Sequence, residues 1–168
     1  MQMKKNILSS KGFTLIELLL VIAIIAILAL LIFVALDPAT RFADARDSRR
    51  FSDVNNILTA IKVDQVDRKG PYIPNIVSAT STDIYMIGDC TSGATGVTTC
   101  DTTPTQDVCK DLSELVDQGY LGSIPVSPDG AGTWTASTTG YTLTKNTAGS
   151  VTVKACESEN TTEITLTR

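Results

Sequence analysis

The 168-residue chain contains no histidine, which excludes serine–histidine and cysteine–histidine catalysis and removes the most common metal ligand. Aromatic residues make up 5% of the chain and there is one tryptophan, so no aromatic cluster marks a binding face. The glycines at 93, 96, 130, 132 and 140 form no phosphate-cradling pattern and read as turns. Asp107, Asp111, Glu114 and Asp117 fall at the spacing of a solvated helix face, not of an identifiable acid–base pair. No catalytic residue and no cofactor is expected. A basic stripe is missing as well: Arg41, Arg46, Arg49 and Arg50 are interleaved with Asp44, Asp47 and Asp53, and the formal net charge is −4. Polyanion binding needs uninterrupted positive charge to neutralise phosphates, so a nucleic-acid partner is not expected.

Cysteine is scarce but even in number. Cys90, Cys100, Cys109 and Cys156 all lie in the polar C-terminal part and show no C-x-x-C spacing. Without histidine, a zinc site would need all four as thiolates at irregular intervals, so no metal is expected there. The single Asp129 of Ser127-Pro128-Asp129-Gly130 is too little to hold calcium. In an exported domain such cysteines read as two disulfides. Three pairings are possible; the expectation is Cys90 with Cys100, closing a loop that contains Gly93 and Gly96, and Cys109 with Cys156. Such a cross-link contributes about 3 kcal/mol.

Apolar residues, in contrast, are concentrated at one end. From Leu18 to Leu36 there is no charged side chain, and the run from Phe13 would form a helix of roughly 36 Å, enough to cross a hydrocarbon core of about 30 Å. A secretory signal peptide has a shorter apolar region, of about 7 to 15 residues. A plain membrane anchor explains the length but not Glu17, because an ionisable group inside a spanning segment is costly and points to a function.

The segment Lys11-Gly12-Phe13-Thr14-Leu15-Ile16-Glu17, followed by the unbroken apolar run, resembles the prepilin peptidase recognition site of type IV pilins and type II secretion pseudopilins. The resemblance implies a leader of residues 1–12, cut between Gly12 and Phe13 by a prepilin peptidase that also methylates the new amine on Phe13. It further implies that Glu17 pairs with the amine of a neighbouring subunit, that the partners are identical or related pilin subunits in a helical filament, and that an inner-membrane platform assembles them. Losing the leader removes Lys4, Lys5 and Lys11 and takes the formal charge from −4 to −7. Physical chemistry agrees with that scheme: the amine and Glu17 lie about one helical turn apart, and a buried charge left unpaired costs several kcal/mol.

The leader lysines place the N-terminus inside, although four arginines follow the apolar run closely; the cysteines favour an exported C-terminal part. The resulting expectation is a single-pass inner-membrane precursor that becomes part of an extracellular or cell-surface filament. Two alternatives share parts of this reading: a pseudopilin of a type II secretion or DNA-uptake system, and a bitopic membrane protein with an extracytoplasmic binding head.

The expected fold class is α+β, a long N-terminal helix packed on a small antiparallel sheet, similar to the ladle shape of the pilin family. Residues 13–36 form the membrane and assembly half, 37–69 the amphipathic half, and 70–168 the head. Phe51, Val54, Ile57, Leu58 and Ile61 make an apolar stripe opposite the Arg and Asp positions. Asp37-Pro38 predicts a kink or break; many family members place a proline a few residues earlier, where this chain reads Phe33-Val34-Ala35. Lys69-Gly70-Pro71 ends the helix. A strand is predicted over residues 84–87 and a short helix over 107–118, with Val108, Leu112, Leu115 and Val116 on one face and a stop at Gly119. Residues 124–130 read as a turn-rich connection. Trp134 and residues 141–145, 150–154 and 163–167 read as strands, with a hairpin at 146–149.

Overall fold

The computed structural model describes residues 12–81, 83–91, 100 and 109–168. The chain divides into two compact units, Met1–Ala39 and Thr40–Arg168.

The first unit carries helix α1, Leu15–Leu36, which starts at an N-capping Thr14 and buries none of its residues. It ends because Asp37 precedes a proline, whose ring clashes with helical backbone at the preceding residue. Asp37 is instead left-handed, with φ 36°, a conformation that aspartate tolerates better than most residues. Helix α2, Pro38–Asp67, begins at the very next residue with proline in its first turn, where the missing N–H costs nothing. The break expected near Pro38 is therefore present, at Asp37.

In the second unit, α2 ends where Lys69 and Gly70 adopt φ 61° and 128° and the Gly70 N–H reaches back to the Gln65 carbonyl at 3.0 Å. A one-turn helix α3, Pro74–Val77, follows, which the sequence reading did not predict. Strands β1 (Ile84–Met86), β2 (Tyr141–Lys145), β3 (Val151–Ala155) and β4 (Thr165–Thr167) form one antiparallel sheet in that order. The β2–β3 hairpin turns at residues 146–149, closed by Asn146 N–H on the Ser150 carbonyl at 2.9 Å and by a left-handed Gly149. Along β3 the alternation is plain: Val151, Val153 and Ala155 are buried, whereas Thr152 and Lys154 are half-buried. The main core joins these residues to Leu143 and Tyr141 of β2, to Val54, Ile57, Leu58 and Ile61 of α2, and to Ile73, Ile76, Leu112 and Leu115.

Four expectations need correction. The helix predicted over 107–118 shrinks to α4, Ser113–Asp117; Asp107 and Val108 lie outside the described residues. Cys109–Leu112 is not helical because Lys110 is recruited as a backbone partner of β1's extension: its N–H donates to the Met86 carbonyl at 2.8 Å, and its carbonyl accepts from Gly88 at 3.2 Å. Second, that same contact decides the disulfides. It sets Cys109 beside Cys90, so the bonds are Cys90–Cys109 and Cys100–Cys156, not the expected pairs. Third, Trp134 lies outside any strand and fills a second small cluster with Met86, Cys100, Cys109 and Cys156. Gly140, at φ +79°, makes room for it, since a Cβ there would lie 2.6 Å from the indole. Finally, Phe51 is exposed, at 53%, while Asp47, Arg50 and Asp64 are buried among the positions read as the polar face. The apolar core facing α2 begins at Val54; ahead of it Phe51 lines an open groove with Asp44, Asp47, Thr161 and Ile164 and stays half uncovered.

Candidate processing and assembly site

Gly12, Phe13 and Thr14 precede α1 without helical structure. Phe13 is 86% exposed and no atom crowds Gly12. Thr14, at φ −80° and ψ 152°, closes a capping box with Glu17. The Glu17 N–H donates to the Thr14 hydroxyl oxygen at 3.3 Å, and one Glu17 carboxylate oxygen accepts both the Thr14 N–H (2.9 Å) and its hydroxyl (2.7 Å). This reciprocal pairing satisfies helix-end donors that would otherwise stand open. It also gives the one carboxylate of α1 local partners at the apolar helix's entrance.

Beyond Glu17, α1 presents apolar side chains on every face. Its 22 residues span about 33 Å, matched to a hydrocarbon core of about 30 Å. A helix that is apolar all round is normally buried, in a membrane or among other helices.

The head holds a second polar constellation, one that sequence reading missed. Arg50 is fully buried, and each of its five N–H groups has a partner. Nε donates to Ser127 Oγ (3.2 Å), one terminal nitrogen to Asp47 (2.9 Å) and Glu159 (2.8 Å), the other to the Pro128 carbonyl (3.0 Å) and Glu157 (2.8 Å). Glu157 also accepts the Trp134 indole N–H at 2.9 Å and the backbone N–H groups of Ala131 and Gly132. The Arg46 guanidinium, then Arg50, hold the Glu159 carboxyl down to about 2 against the opposing effect of burial. Burial works against ionised Asp47, but N–H donors from Asn160, Thr161 and Glu159 outweigh it and keep its carboxyl below the usual range. A signal for this node existed: Asp47 and Arg50 continue the three- and four-residue spacing of Val54, Ile57 and Ile61.

Asp129 accepts the Trp134 backbone N–H at 3.1 Å, and no metal-ready group of three acidic or cysteine residues exists among those described. An open groove of about 850 Å³ runs between the Arg49–Val63 side of α2 and residues 120–126. At its edge Asp53 accepts the buried Tyr141 hydroxyl at 2.7 Å; burial, and then this bond, push the phenol well above its usual range.

Residues 8–33 match the family described as the prokaryotic N-terminal methylation motif, the class III signal peptide of type IV pilin and pseudopilin precursors. No curated protein and no solved structure matches the chain. The matched segment ends within α1, so it speaks for the processing and anchoring region. It supports a type IV pilin-like or pseudopilin precursor, suggests a structural protein, and implies processing by a prepilin peptidase and assembly with pilin subunits. The apolar helix beside it fits a membrane-anchored precursor.

Proposed function

We propose that the chain is a structural subunit, major or minor, of a type IV pilus-like surface filament. The observation that carries this reading is the pairing of the methylation motif with α1, an apolar helix with no buried residue and a single carboxylate in its first turn. Hydrolysis of the Gly12–Phe13 bond removes residues 1–12 and leaves an amine on Phe13, which is then methylated. Gly12 and Phe13 lie outside the helix, where a peptide bond is open to attack.

In the membrane, Glu17 is kept satisfied by Thr14. In the filament its partner is the Phe13 amine of a neighbouring subunit, and the cost of leaving either charge unpaired in apolar surroundings sets the axial register. Neighbouring α1 helices then replace lipid around the apolar surface. The four cysteines act in the exported head as two disulfides.

Intact mass and N-terminal sequencing of the protein from cells, beside electron micrographs of sheared surface material, test this reading. A chain beginning at methylated Phe13 within long filaments supports it. The same terminus without long filaments would point to a pseudopilin of a secretion or DNA-uptake system. A chain that keeps residues 1–12 in mature material would sink both in favour of a membrane-anchored binding protein.

A further inference from the structure

Helix α2 is held to the head by different forces in its two halves. From Val54 to Ile61 it is held by apolar burial, with Val54, Ile57, Leu58 and Ile61 at or near zero exposure. Between Pro38 and Phe51 the only buried apolar side chain is Ala43; the other buried residues are Asp47 and Arg50. Here the head contributes mainly residues 157–161. Backbone N–H groups of Glu159, Asn160 and Thr161 converge on Asp47 at 2.9 to 3.1 Å. Arg46 and Arg50 grip Glu159, and Arg50 grips Glu157. The Asn160 side chain donates to the Thr40 carbonyl (3.1 Å) and to Asp44 (2.8 Å).

Apolar burial does not depend on charge, whereas a charged contact weakens as counterions screen it or protons neutralise it. Separating the two surfaces along residues 40–50 would expose little apolar area, so this half of α2 can leave the head without opening the core. We propose that residues 157–161 form a polar clasp, and that residues 40–50 open from the head as a unit separate from the apolar half of α2. These turns come soon after α1 in the chain, and opening the clasp frees 11 residues of α2, about 16 Å of helix, from the rest of the head. That makes it a compliant link. It does not rest on the filament reading, and its test is independent of filaments.

Hydrogen exchange of the full chain in detergent micelles, resolved along α2, tests the clasp. Glu159→Gln removes the charge that Arg46 and Arg50 hold, and Asn160→Ala removes the two side-chain contacts to Thr40 and Asp44; both leave the apolar core untouched. The expected result in each variant is exchange about tenfold faster at the amides of residues 43–50, with residues 54–61 unchanged. Equal acceleration along the whole of α2 would overturn the proposal by showing one cooperative unit. Unchanged exchange at 43–50 in both variants would overturn it by showing that the clasp does not hold this half.

Discussion

Helices α1 and α2 are separated by a single residue, yet they belong to different solvents. The 22 residues of α1 bury nothing and carry one charge, at its first turn, whereas α2 buries nine of its 30 residues and places an arginine and two aspartates among them. The contrast teaches that exposure has opposite meanings in the two. In α1, exposed isoleucines are the contact surface, awaiting lipid or other helices; in α2, the informative residues are the charges that lie inside.

Substitutions can break this comparison at either end. The largest expected effect is that of Glu17→Ala, which should leave cleavage before Phe13 intact and abolish filaments; normal filaments in micrographs would remove the assigned role. Next is Arg50→Lys. Lysine has three donors for five acceptors and no planar fork, so the head should lose about 3–5 kcal/mol in urea unfolding of the oxidised chain. Leu58→Ala, in the apolar half of α2, should cost about 3 kcal/mol through lost burial and a residual cavity.

Acid comes next in size. The Glu159 carboxyl faces Arg46 and Arg50 across Asp47 and Glu157, with Asp44 reached through Asn160, and it sits at about 2 against an ordinary 4.5. Its stabilising contribution is therefore complete above pH 4.5 and is lost as the pH falls towards 2. Exchange at residues 43–50 should rise over that window before exchange at 54–61 does. Ile25→Ala, deep in α1, should change head stability by less than about 0.5 kcal/mol, since Ile25 is an exposed residue outside the head's own unit. A large loss there would show that the two helices share one folding unit.

The N-terminal region was legible because its signals are local: the Lys11–Glu17 motif and the uninterrupted apolar run after it need no knowledge of distant chain. The β2–β3 hairpin was legible for the same reason, from alternation and from the glycine its turn requires. Residues 40–50 were misread because charged side chains are assigned outward by default; an inward Asp47 is tolerable because of the backbone donors of residues 159–161, and an inward Arg50 because of the acceptors Ser127, the Pro128 carbonyl, Glu157 and Glu159, all of them distant in sequence. The disulfide pattern was beyond reach because it depends on a parallel bridge between Ile87 and Lys110, which composition and spacing do not announce. The same bridge shortened α4 by taking Lys110 out of helical register.

The two disulfides also determine what happens when the chain is cut. Cys90–Cys109 joins residues 19 apart, and Cys100, inside that ring, is bound to Cys156 just beyond β3. A protease that nicks the ring on either side of Cys100, or on both sides, adds a water at each cut and sheds nothing. Each piece stays covalently attached to the head until a reductant arrives. For a protein proposed to stand outside the cell among hydrolases, a cleaved loop is then a change in mass and not a loss of substance.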